Sequence, residues 1–123
     1  MTVKKTVVAP EYLGFYIAGK MDIRVPLDHD RVGVTASGEC INVGCLYGED
    51  GDTTITLGPF EELSPQTGLP KFDGVLETPE RRVDLFDANM PEILSMEVPG
   101  LRTRVRIWTN HQTEPDNVII ALG

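Results

Sequence analysis

Between residues 101 and 110, apolar and polar positions alternate without a break. Leu101, Thr103, Val105, Ile107 and Thr109 fall on one side of an extended chain, and Arg102, Arg104, Arg106, Trp108 and Asn110 on the other. Successive side chains of a strand point to opposite faces, so the run predicts a half-buried β-strand. The β-branched residues at 103, 105, 107 and 109 suit a pleated surface better than a helix. Val105 and Ile107 are expected in the core and Arg104 in solvent. The outward face then carries three arginines and the only tryptophan.

The rest of the chain shows similar short patterns between Gly and Pro punctuation. Residues 2–8 are β-branched, and Lys4 and Lys5 suit an edge strand. In 11–18, Leu13, Phe15 and Ile17 share one face and Tyr12, Gly14 and Tyr16 the other, so both faces are apolar and the strand is expected to be central. A connection with Pro26 follows, with a short extended piece at 23–25. Residues 31–36 form a strand that turns at Ser37-Gly38 into 40–47, where Ile41, Val43, Cys45 and Tyr47 form one face. The acidic turn 48–52, with Asp50-Gly51, predicts a hairpin from there into 53–57. Residues 58–70 read as a loop with a helical turn at 60–63.

Beyond it, 71–77 is extended, with Phe72 and Gly74 on one side and Val75 out of step. Strands at 82–86 and 93–98 are separated by a turn at 87–91. Pro99-Gly100 then predicts a hairpin into the arginine strand, although Pro-Gly favours a type II turn that matches hairpin twist poorly. A two-residue hairpin would pair Val98 with Leu101, Met96 with Thr103 and Leu94 with Val105 on the buried face. Glu97–Arg102, Ser95–Arg104 and Ile93–Arg106 would pair on the exposed one. Residues 117–122 are almost continuously apolar and should be buried on both sides. The sum is about 8–9 short strands with no long helix: one all-β domain over 1–123, built as an antiparallel β-sandwich.

A length of 123 residues allows one modest core. The net charge of −8 argues against generic nucleic-acid binding and leaves two readings, a partner with a basic surface and plain solubility, the second being the commoner reason for an acidic domain. No stretch approaches the ~18 apolar residues of a membrane span, and residues 1–8 have too short an apolar run for a signal peptide. The expected location is cytoplasmic. Cys40 and Cys45, five apart in one strand, would lie about 16 Å apart at ~3.3 Å per residue, too far for a disulfide. Both are expected to be reduced thiols.

Arg102, Arg104 and Arg106, with Trp108 beside them, are the candidate binding residues. Guanidinium forks bind carboxylate or phosphate in a bidentate way, and tryptophan often anchors an interface. The competing reading is a solvated face whose arginines pair with nearby acids, which outnumber the bases 19 to 11. Asp28, Asp30 and His111 are weak metal candidates: Asp28 and Asp30 share a side of an extended chain while His29 faces away. The 49–52 tip lacks the spacing of a calcium loop. No nucleophile elbow, phosphate loop or zinc helix is present, so neither catalytic residues nor cofactors are expected.

Residues 53–123 carry a recognisable order: a strand at 82–86, a second at 93–98, Pro99-Gly100, the strand with Arg102, Arg104 and Arg106, a polar loop, and an apolar last strand. This resembles the competence protein J family, the inhibitor subunit of a bacterial DNA-entry nuclease, and a broader set of small bacterial β-sandwich proteins. Those proteins often have an aromatic just after the Pro-Gly, where this chain has Leu101 and Arg102. The resemblance implies the sandwich fold more than a function, and no active-site residue carries over from it. Three functions follow for testing. The first is an acidic inhibitor or accessory protein of a basic partner such as a nuclease. The second is a small-anion binder or enzyme using the arginine face. The third is a structural homodimer subunit.

Overall fold

A computed structural model of the chain describes residues 3–8, 14–19, 34–36, 40–44, 52–63, 68–86, 93–110 and 117–123. These form ten strands: β1 (Lys4–Val8), β2 (Gly14–Ala18), β3 (Val34–Ala36), β4 (Cys40–Gly44), β5 (Thr53–Pro59), β6 (Phe72–Glu77), β7 (Arg82–Phe86), β8 (Leu94–Glu97), β9 (Arg102–Thr109) and β10 (Asn117–Leu122). One short 3-10 turn, Phe60–Glu62, follows β5. Among the described residues no helix is long and apolar enough to cross a membrane. The strands make two five-stranded sheets. The first runs β1-β5-β10-β9-β6 and the second β3-β4-β2-β7-β8.

The core is the layer between them. Ile55, Leu57, Leu76, Val105, Ile107, Val118 and Ile120 face in from the first sheet, and Phe15, Ile17, Ile41, Val43, Val83 and Leu85 from the second, all essentially inaccessible to water. Alternation decides which face each strand buries. In β9 it sends Thr103, Val105 and Ile107 inward and leaves Arg102 and Arg104 exposed, as expected from the sequence. The doubly apolar strands lie where their composition demands. β2 sits between β4 and β7, and β10 between β5 and β9, while lysine-bearing β1 is an edge. The β3/β4 and β7/β8 pairs are antiparallel. One pairing departs from the antiparallel scheme: β10 runs parallel to β5, with Val118 opposite Ile55 and Ile120 opposite Leu57.

Two expected hairpins do not form. β4 lies in the second sheet and β5 in the first, so 53–57 does not pair back onto 40–44. More consequentially, β8 and β9 lie in different sheets, so Pro99-Gly100 is a crossing between layers rather than a hairpin turn. β8 pairs with β7, placing Glu97 opposite Arg82 and Met96 opposite Val83. β9 pairs with β6, placing Arg102 opposite Glu77 and Arg106 opposite Asp73. Leu101, expected in the core, is more than half exposed because it sits on this crossing.

The β6–β7 connection crosses in the same place, and the two crossings are tied together. The Thr78 N–H donates to the Leu101 carbonyl at 2.9 Å, and the Val98 N–H to the Arg81 carbonyl at 3.0 Å. The buried Thr78 hydroxyl donates to the Gly100 carbonyl at 2.8 Å and shares a 3.0 Å hydrogen bond with the Thr103 hydroxyl. These bonds satisfy the buried Thr78 and Thr103 hydroxyls and fasten the main chains of the two crossings to each other. Gly19, at the end of β2, lies against the same crossing. A Cβ there would fall 2.0 Å from the Glu77 carbonyl oxygen, so only glycine allows this approach.

Candidate functional site

β9 places its even-numbered side chains on the outer face of the first sheet, flanked by β10 on one side and β6 on the other. The sheet therefore collects Arg102, Arg104, Arg106 and Trp108 along one strand. It sets Asp73, Val75 and Glu77 of β6 beside them.

The arginines have different surroundings. Arg104 grips Asp73 in a bidentate pair, Nε to Oδ1 at 2.9 Å and Nη2 to Oδ2 at 2.7 Å. Asp73 stands opposite Arg106 in the register, so this pair runs diagonally across the ladder. The hydrogen bond from Arg104 holds the Asp73 carboxyl below its ordinary pKa. The positive charges of Arg104 and Arg106 add to the effect, while desolvation opposes it. The same bond raises Arg104 above its ordinary value. Arg104 remains largely solvated, its side chain 52% exposed.

Arg106 is half-buried beneath the turn that follows β5. Pro59 enters that turn extended, and Phe60 then folds back over the sheet, its ring centre 3.5 Å from the Arg106 guanidinium carbon. This is close cation–π contact. The Phe60 ring also stacks near Trp108, with centroids 6.4 Å apart and planes 26° from parallel. Trp108 Nε1 donates a long, 3.4 Å hydrogen bond to the Gly68 carbonyl. Arg106 Nη2 donates to the Gly123 carbonyl, whereas its buried Nε has no hydrogen-bond partner. Arg102 is exposed opposite Glu77.

A cleft of about 500 Å³ opens at the end of the sandwich where β5 and β10 stop. It is lined by Phe60 and Gly123, by Met96, Val98 and Pro99 from the β8 side, and by all three arginines of β9. The sequence drew attention to the arginines and Trp108 but not to Phe60, Asp73 or the Gly123 carbonyl. The expected outer-face pairs with Glu97, Ser95 and Ile93 do not form, because β8 belongs to the other sheet. Asp28, Asp30 and His111 lie outside the described residues, as do Cys45 and the 49–51 tip. Among the described residues no group of three or more His, Cys, Asp or Glu side chains comes together to hold a metal.

No protein-family model and no curated protein matches the chain. Solved structures do. ComJ from Bacillus subtilis, an inhibitor of the DNA degrading activity of NucA, superposes with a TM-score of 0.70 over 99% of this chain and 96% of its own, at 15% identity. The chain shares its fold with ComJ. The product of Crocagin biosynthetic gene J matches at a TM-score of 0.51 over 98% of this chain and 95% of that one, at 12% identity. The likeness to ComJ extends beyond residues 53–123 into the N-terminal half, whose sequence carried no part of the resemblance. At this identity what is shared is the fold.

Proposed function

We propose that this protein is a protein-interaction module that acts as an acidic inhibitor or accessory protein of a basic partner such as a nuclease. The observation that carries the reading is an acidic exterior on a ComJ-like sandwich. The chain's net charge is −8. Glu61 and Glu62 on the turn after β5, Asp73 and Glu77 on β6, Glu80 on the crossing and Glu97 on β8 are all exposed. A nuclease binds DNA largely through cationic groups that meet phosphates, so an acidic protein surface competes for the same groups. Complementary charge also speeds encounter and suppresses wrong partners.

The test is capture of DNA-degrading activity on the immobilised protein from a lysate of the cells that make it, at low and moderate salt. The reading expects a basic nuclease to be retained at low salt and progressively released as salt rises, because exposed charges are screened beyond about 8–10 Å at moderate ionic strength. Nuclease activity passing through undiminished at both salts would refute it.

A further inference from the structure

The strand edges of the sandwich are finished unequally. An edge strand offers unpaired N–H and C=O groups to any further strand, and natural sheets blunt it with shortness or with charge. β3 is three residues long. β1 carries Lys4 and Lys5, and the Lys4 ammonium donates to the Ser95 carbonyl, so one side chain fastens the β1 edge of the first sheet to the β8 edge of the second. β6 ends the first sheet beside β9. It runs six residues and contains neither lysine nor proline.

The outward peptide groups of β6 follow from the ladder. The Asn110 N–H to Asn117 carbonyl bond turns the even-numbered positions of β9 to β10, and the Thr78 N–H to Leu101 carbonyl bond turns the odd-numbered ones to β6. Bonded pairs recur at every second residue, so Leu76, Gly74 and Phe72 face β9. The N–H and C=O of Asp73, Val75 and Glu77 therefore point away from it, and no described strand lies on that side. Water reaches this backbone: Gly74 is partly exposed, whereas Gly58 in the interior strand β5 is buried. The side chains of the same three residues stand on the outer face in the order acid, apolar, acid. All are exposed, Val75 at 58%. Arg104 occupies two acceptor sites of the Asp73 carboxylate, which has about four. A second copy docked with Val75 against its own equivalent would set each Asp73 opposite a Glu77, and like charges directly opposite destabilise a strand pair.

We propose that the β6 edge docks an extended segment of the basic partner, with cations at positions i and i+4 and an apolar residue at i+2. The cations meet Asp73 and Glu77, the apolar residue meets Val75, and main-chain hydrogen bonds run to the outward groups of all three. The spacing follows from the strand itself, in which side chains two apart share a face. Strand addition takes affinity from main-chain bonds and selectivity from side chains, and opposite charges across adjacent strands favour the pairing. The occupant's charge rests on the reading of a basic partner given above; the edge and the spacing are what the strand adds to it.

The probe is a terminally blocked, fluorophore-tagged Lys-Thr-Val-Thr-Lys peptide, titrated with the full chain at moderate salt and read by anisotropy. The controls are Thr-Lys-Val-Lys-Thr, of the same composition and charge, and Glu-Thr-Val-Thr-Glu. The probe is expected to bind about threefold more tightly than the rearranged peptide and at least about tenfold more tightly than the acidic one. Val75→Pro removes an outward N–H and no ladder bond, a place where edge strands accept proline. It should abolish the preference between the two lysine peptides while keeping the urea midpoint near that of the parent. Glu77→Gln should weaken binding several-fold. Equal binding of the two lysine peptides, no binding, or indifference to both variants would overturn the proposal. So would light scattering that shows a dimer in the parent and a monomer in Val75→Pro, because a second copy would then hold the edge. Capture of nuclease activity separates this proposal from the reading it rests on: a parent protein that captures none refutes the basic nuclease, whereas capture undiminished by either variant overturns the β6 edge as its site.

Discussion

Replacing Ile107 by Ala tests the division of labour along β9. Ile107 is fully buried, paired with Ile120 of β10 on one side and Phe72 of β6 on the other. Truncation loses the transfer free energy of the deleted methyl and methylene groups and leaves a cavity that a two-sheet core cannot close. The expected cost is about 2–5 kcal/mol. A domain of this size has a total stability of about 5–15 kcal/mol, so the variant loses a large share of it. With a urea m-value of about 2 kcal/mol/M, the unfolding midpoint should fall by roughly 1–2.5 M. Arg104→Ala removes an ion pair whose partners are both well exposed, and such pairs contribute little in high dielectric. Its midpoint should stay near that of the parent protein. Urea melts of the two variants, followed by far-UV circular dichroism at fixed pH, make the comparison. If Arg104→Ala proves the more damaging, the faces of β9 are reversed and the assignment of the core is wrong.

Acid should act through Asp73, whose carboxyl is held below its ordinary pKa chiefly by the Arg104 hydrogen bond. A depressed carboxylate pKa gives stability that is present above the ordinary carboxylate pKa and lost as pH falls through the lowered value. Asp73→Asn should therefore differ from the parent near neutral pH and converge with it on acidification, as urea midpoints across a pH series would report; a gap that widens in acid contradicts this. Thr78→Val should cost about 1–3 kcal/mol by stranding the Gly100 carbonyl and the Thr103 hydroxyl, whereas Thr78→Ser should be far milder. Equal thermal midpoints for Thr78→Val and the parent would remove the tied crossings from the account. Cys40 is fully buried in β4, so in a Cys45→Ser background it should resist thiol reagents until urea unfolds the protein; rapid labelling in the native state would contradict its burial.

The sequence disclosed which side of each strand is buried more readily than which strand it meets. Period-two alternation identified Val105 and Ile107 as core, and apolarity on both faces identified β2 and β10 as central. It could not separate the two sheets. Met96 and Val98 face the core from one layer, Thr103 and Val105 from the other, and both arrangements give the same alternation. Proximity in sequence then suggested a β8/β9 hairpin, while the poor match of Pro-Gly to hairpin twist was the local sign of a crossing. The parallel β5/β10 pair joins segments far apart in the chain and leaves no mark in either. The candidate site divides in the same way. The arginines and Trp108 were legible because they share one strand. Asp73 reaches Arg104 through β6 register, and Phe60 reaches Arg106 through a turn folded over the sheet, so neither contact follows from spacing.

The most direct test of the proposed role is a titration of the captured nuclease with the purified protein, following plasmid DNA degradation at low ionic strength. The account predicts that cleavage falls in proportion to added protein until the nuclease is saturated, and that rising salt restores it by weakening the complex. A cleavage rate unchanged by a large molar excess of the protein would contradict it.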